Sequence, residues 1–185
     1  MARLSAAAAD GEVADRIRSR RGGALRPLDE VLLHSPPVAD GWNSLLGAIR
    51  ARMSLPSALR ELVILRVAVL NSADYEWHAH LAAADQAGLR PAQLAALRRD
   101  DAAEAIELTD LQRQCVAFTD AVTRDVAVPD AVFDAVHERL GERQTMELAV
   151  TAAAYNMVSR FLVALQVSDA DSPAEAEAEL RGGPA

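Results

Sequence analysis

Several residue types are scarce in this sequence, and each scarcity removes a class of function. Cysteine occurs once, as Cys115, so an intrachain disulfide is impossible and nothing points to an oxidising compartment. There is no CxxC pair and no H-E-x-x-H spacing, which removes the strong signals for a dithiol centre or a zinc site. Basic residues are outnumbered, 19 against 27 acidic, for a formal net charge of −8. No nucleic-acid partner is expected, because neutralising phosphates takes clustered cations. The one basic run, Arg16, Arg18, Arg20 and Arg21, reads as a solvated terminal arm. The most apolar stretch, 62–70, is interrupted by Arg66 and is far shorter than the ~20 residues of a membrane span. The N-terminus has no basic segment leading into a long apolar one, so neither a signal peptide nor a membrane partner is expected. A cytoplasmic protein is the resulting expectation.

Aromatic residues make up only 4% of the chain, while 51% of it is apolar. The core must therefore be built from small aliphatic side chains. Alanine, the best helix former, is abundant. The expected fold class is all-α, a single helical domain whose helices approach closely. A length of 185 residues suits one such domain with tails. We assign residues 1–24 to a loose arm carrying at most one helix, 25–167 to the helical domain, and 168–185 to a disordered tail of Pro, Ala, Glu and Gly.

Within the domain, proline and glycine punctuate the helices. A short helix is expected over 28–34, stopped by Pro36-Pro37, and another over 39–53. Pro56 suits the first turn of a helix over 56–71 that is apolar nearly all round and hence deeply buried. A helix over 74–87 ends at Gly88, and Pro91 opens a short one through 99. Thr109 and Gln112 form a capping-box pattern for a helix through 124. Pro129 and Gly141 bracket the next helix, and the last runs over 142–167. Leu59-Arg60-Glu61-Leu62 and Thr145-Met146-Glu147-Leu148 resemble one another, with Asn71 and Asn156 following at nearly the same offset. Duplication and chance both explain this echo.

Proton-transfer chemistry concentrates in one place, Glu61 to His80, ELVILRVAVLNSADYEWHAH. Glu76 and His80 are spaced i,i+4 and share a helix face. A carboxylate beside an imidazole fixes its tautomer and raises its pKa, which suits a general acid or base. His78 lies about 200° round the helix from His80 and cannot share that face, at ~100° per residue. Glu61, in an apolar helix, needs a partner, because an unpaired buried carboxylate is costly. Candidate catalytic residues are therefore Glu61, Glu76 and His80. Alternatives stay open: a helix-surface pair with Trp77 packed inside, or two carboxylates and an imidazole holding Fe, Mn or Zn. Asn156 and Arg160, also i,i+4, are candidate substrate-binding residues, Arg160 by bidentate capture of a carboxylate or by pairing with a buried Glu such as Glu147 or Glu61. Arg66 has the same two readings. Trp42 and His34 read as packing residues that can also line a pocket.

The segments LPSALRELVILRVAVL, SADYEWHAH and AGL at 87–89 resemble the carboxymuconolactone decarboxylase family, a group that includes the alkylhydroperoxidase D branch. The resemblance runs from about Trp42 to Gln166. It implies an all-helical domain that associates as a homo-oligomer, a trimer or hexamer, with active sites near subunit contacts. The alkylhydroperoxidase branch places a CxxC between the equivalents of Glu61 and His80. Those cysteine positions fall here on Ala73 and Glu76, so a thiol peroxidase is disfavoured. The Tyr-Glu-Trp-x-x-His form is similar to the thiol-free, decarboxylase-type side of the family. That similarity implies a carbon-carbon lyase that needs no cofactor and no metal and acts on a small-molecule substrate, an organic acid or lactone. On this reading His80 donates the proton, Glu76 orients it, Glu61 is a second acid/base or an anchor, and Tyr75 and Trp77 shape the pocket. A non-catalytic ligand-binding helical oligomer is the competing reading.

Overall fold

The computed structural model describes residues 2–168, and the tail assigned above to 168–185 lies outside them but for Ser168. The described residues are helical, with no strand. The elements are α1 (Gly11–Arg21), α2 (Pro27–Leu32), α3 (Pro36–Ala51), α4 (Ser57–Leu70), α5 (Asp74–Gln86), α6 (Pro91–Leu97), a 3-10 turn (Ala102–Glu104), α7 (Asp110–Arg124) and α8 (Asp130–Leu165). They fall into two compact units. Among the described residues one comprises 2–53 together with 162–168, and the other runs from Ser54 to Phe161.

In the first unit α1 and α2 each pack on α3. Ala14, Ile17, Val31, Leu32, Leu46 and Ile49 are buried there. Arg21 Nη2 donates to Asp29 at 2.8 Å, its Nε lies 2.5 Å from the other carboxylate oxygen, and that oxygen accepts from the Arg26 N–H at 2.9 Å, at the start of α2. His34 meets the Ser5 carbonyl through Nε2 at 2.8 Å. The arm thus holds an eleven-residue helix, α1.

The second unit is organised around α4, which packs on α5, α6 and α7. Nine of its residues are buried, including Glu61 and Arg66, in agreement with its all-round apolar pattern. A buried guanidinium is tolerable only when every donor is satisfied. Arg66 meets that condition: Nε and Nη2 donate to the two carboxylate oxygens of Asp120 at 2.6 Å, and Nη1 donates to the Leu97 and Arg99 carbonyls at 2.7 Å. Of its two sequence readings, the structure shows pairing, with Asp120 as the partner.

The punctuation residues act where expected. Gly88 takes φ 87°, and the Leu89 N–H returns to the Ala84 carbonyl at 3.0 Å, closing α5. The Thr109 hydroxyl accepts from Gln112 N–H at 3.3 Å, while the Gln112 side chain accepts from Thr109 N–H at 2.9 Å. At Gly141 the backbone adopts φ 68°, ψ 176°, a conformation open essentially to glycine, and α8 breaks there. Glu147, just beyond the break, accepts from Ser54 N–H, Ser54 Oγ and Leu55 N–H at 2.7–2.8 Å. It thereby fixes the segment that leads into α4. By length and composition α8 is the one helix, among the described residues, that could cross a membrane; half of its most apolar stretch is buried inside the structure.

Candidate active site

Glu61 lies on α4, Glu76 and His80 lie on α5, and Tyr155 lies on α8. The packing of α5 on α4 brings the first three together, and α8 adds the fourth. His80 Nδ1 is 2.6 Å from Glu61 Oε2, and Nε2 is 3.0 Å from Glu76 Oε1. Tyr155 Oη is 3.3 Å from the same Nε2, and the two rings meet edge to face with centroids 5.3 Å apart. Relative exposure is 2% for Glu61, 2% for Glu76, 6% for His80 and 0% for Tyr155. The imidazole is thus held between two carboxylates, one at each ring nitrogen, with a phenol beside the second.

This arrangement sets the charge state. Burial disfavours an imidazolium, but hydrogen bonds and negative charge from Glu61 and Glu76 outweigh it, and the His80 pKa is raised above its ordinary value. Burial likewise opposes the Glu61 carboxylate, but the hydrogen bond and charge of His80, backed by Arg60, hold the carboxyl below the usual range. Arg60 supplies that backing through Nε, 3.1 Å from Glu61 Oε1. The raised imidazole and the depressed Glu61 carboxyl together favour a proton held on His80.

The same geometry bears on the metal reading. Glu61 and Glu76 approach opposite nitrogens of one imidazole, so both cannot share a single ion with that ring. Among the described residues no group of three or more His, Cys, Asp or Glu side chains is arranged to hold a metal ion.

Comparison with known proteins follows from this geometry. Residues 36–121, which contain Glu61, Glu76 and His80, match the model of the carboxymuconolactone decarboxylase family. Over that segment, under half of its length, this chain is similar to the carboxymuconolactone decarboxylase family. Among solved structures, a peroxidase-related protein from Ralstonia eutropha JMP134, described as an alkylhydroperoxidase AhpD core, is 17% identical, with 99% of this chain and 98% of that chain covered and a TM-score of 0.79. A peroxidase-related protein from Silicibacter sp. TM1040 is 18% identical over 90% of this chain and 86% of that chain, with a TM-score of 0.73. The debrominase Bmp8 is 16% identical over 91% and 88%, with a TM-score of 0.71. These likenesses establish the alkylhydroperoxidase D-like fold, which this chain shares with an enzyme. No curated protein matches the chain in sequence.

Tyr155 lies in α8, outside the segment that matches the family, and its part in the cluster is not signalled by any spacing in the sequence. Asn156, its neighbour, belongs to a different network: it accepts from Asn71 at 3.0 Å and from Arg160 at 2.7 Å through Oδ1, and donates to Thr123 Oγ1 at 2.9 Å. Arg160 also reaches the Thr123 carbonyl at 3.4 Å. The two asparagines of the internal echo therefore meet, whereas its two glutamates do different work. Trp77 is buried beneath Arg98, whose guanidinium carbon sits 4.2 Å from the ring centroid. Tyr75 is half-buried. His78 points away, with Nδ1 2.8 Å from the Asp74 carbonyl. Cys115 is fully buried, and burial pushes its thiol up to about 12, far from the thiolate that peroxidase chemistry requires.

Proposed function

We propose that this protein is a cofactor-free acid/base enzyme, a decarboxylase-like carbon-carbon lyase acting on a small organic acid or lactone. The observation that carries this reading is the imidazole of His80 held between two buried carboxylate side chains. Glu61, the nearer at 2.6 Å, fixes the Nδ1–H and thereby the ring orientation. Nε2–H is left as the transferable proton, shared with Glu76 and set beside Tyr155. In a decarboxylation the bond to the departing carboxylate breaks and its electron pair moves into a conjugated carbonyl. The resulting enolate takes the Nε2 proton at carbon, CO2 leaves, and the imidazole is re-protonated from solvent. Tyr155 stabilises the neutral imidazole between those steps. Likeness to the carboxymuconolactone decarboxylase family over 36–121 supports this reading, and the absence of both CxxC thiols supports it over peroxidase chemistry.

The near-complete burial of the four side chains favours a second reading, an ion-pair network that only ties α4, α5 and α8 together. One experiment separates the two. CO2 release from a panel of carboxylated lactones and β-keto acids is measured for wild type and a folded His80→Gln variant. Release that disappears in the variant supports the lyase. Turnover by neither, with a lowered melting temperature in the variant, supports the structural network. Assembly from several copies, implied by the family, fits the exposure of Phe133, Met146 and Met157 on α8, and light scattering on the intact chain tests it.

A further inference from the structure

Asn156 follows Tyr155 on α8 and is buried with its whole amide in use. Oδ1 accepts from Asn71 Nδ2 at 3.0 Å and from Arg160 Nη1 at 2.7 Å. Nδ2 donates to Thr123 Oγ1 at 2.9 Å and to the Ala152 carbonyl at 3.0 Å. Those four bonds are all that an amide side chain can make. Asn71 donates in addition to Ser159 Oγ at 2.7 Å, in the next turn of α8. Asn71 ends α4, and Thr123 lies in the last turn of α7. One fully satisfied amide therefore ties α8 to two other helices through directional contacts, the condition under which a buried polar network stiffens a core.

Packing gives little direction at this point. Ala152, Ala153 and Ala154 precede Tyr155 and present only methyl groups. Ridges that shallow leave the rotation and register of a helix loosely set. Tyr155 needs both to be set. Its hydroxyl stands at the far end of the side chain, so a small rotation of α8 carries it out of reach of His80 Nε2, 3.3 Å away. Consecutive side chains leave a helix about 100° apart, so Asn156 can hold α4 and α7 while Tyr155 faces His80 on α5. Fixing the register of packed helices is the best-attested use of a single buried polar residue.

We propose that Asn156 is the positioning residue for Tyr155. It locks the rotation and register of α8 against α4 and α7, and so sets the phenol hydroxyl on His80 Nε2. Thr123 and Asn71 are the fixed points of that lock. The proposal rests on the reading of His80 and Tyr155 given above, but its test needs no turnover.

The 15N shift of His80 Nε2 is followed in the full chain for wild type, Tyr155→Phe, Asn156→Ala and the double variant. Asn156→Ala is expected to move the shift in the same direction as Tyr155→Phe and roughly half as far or more. The double variant is expected to go no further than Tyr155→Phe alone, because a residue acting only through the hydroxyl then has nothing left to move. Thr123→Val removes one acceptor and keeps the side-chain shape. It should give a smaller shift of the same sign, again absent in the Tyr155→Phe background, and it decides the matter if Asn156→Ala does not fold. A shift unmoved by Tyr155→Phe, or unmoved by both network variants, overturns the proposal. So does a network effect as large in the Tyr155→Phe background as in wild type, since that is general loosening of the fold. The two readings also fail separately. Non-additive shifts without any turnover sink only the enzyme reading. Turnover lost in His80→Gln, with additive shifts, sinks only the positioning role.

Discussion

His80 Nδ1 lies 2.6 Å from Glu61 Oε2, so a helix with no hydrophilic face of its own supplies the carboxylate that orients the imidazole. This contact makes stability depend on pH in a defined direction. The folded His80 pKa is raised above 6.5, so its contribution is complete below the unfolded value and is lost as pH rises through the folded one. The Glu61 pKa is depressed below 4.5, so its contribution is present above that value and is lost as pH falls through the folded one. The melting-temperature advantage of wild type over His80→Gln should therefore shrink as pH rises above about 6.5 and through the raised folded value. An advantage that grows over that range contradicts the assignment.

Tyr155→Phe removes one hydroxyl and leaves the edge-to-face ring in place. Its stability cost is expected to be roughly 0.5–1.5 kcal/mol, that of one ordinary hydrogen bond. Its effect on turnover should be larger, about 10- to 100-fold, because the bond involves a group whose charge changes in the reaction. Chemical denaturation and steady-state rates measured on the same preparation check the split. A stability loss with unchanged rate would make Tyr155 structural.

Glu147 holds three donors from Ser54 and Leu55. Burial opposes its charge, but the Ser54 bonds, with Arg143 and Leu55, keep its carboxyl below the ordinary range. Glu147→Ala leaves the buried Leu55 N–H and the partly exposed Ser54 N–H without their acceptor and should cost roughly 1–3 kcal/mol. Urea melts measure this directly. A stability loss below about 0.3 kcal/mol would show that water replaces the carboxylate at no cost.

Cys115 should resist thiol reagents in the folded protein, given its burial and a thiol pushed up to about 12. Cys115→Ser should leave any activity within about twofold, since the thiol enters no step. Rapid labelling under native conditions, or peroxide turnover lost in the variant, counts against a thiol-free mechanism.

Much of the site was legible because it is local. Glu76 and His80 share a face by i,i+4 spacing, and the need of Glu61 for a partner follows from the apolar helix around it. The helix limits at Gly88, Thr109 and Gly141 were legible because glycine and capping residues act through their own backbone. Tyr155 was not: it reaches His80 across 75 residues, from an alanine-rich helix whose pattern gives no sign of which face meets α5. Partner identities were also hidden. Arg66 pairs with Asp120, and Arg160 turns to Asn156 and Thr123, because tertiary packing decides which of several carboxylates or carbonyls a long side chain reaches. The nearer carboxylate on His80 proved to be Glu61 rather than its helix neighbour Glu76, for the same reason.

The central claim is that His80 transfers a proton to or from a carbon of a small acid or lactone. Exchange of acidic C–H positions with D2O, followed by proton NMR over a panel of keto acids and lactones, tests it most directly, because it registers proton transfer whether or not CO2 leaves. Wild type should catalyse exchange at least with one member, and a folded His80→Gln variant should lose about 10²- to 10⁴-fold of that rate, the range for a general acid/base. Exchange that persists undiminished in the variant would contradict the account.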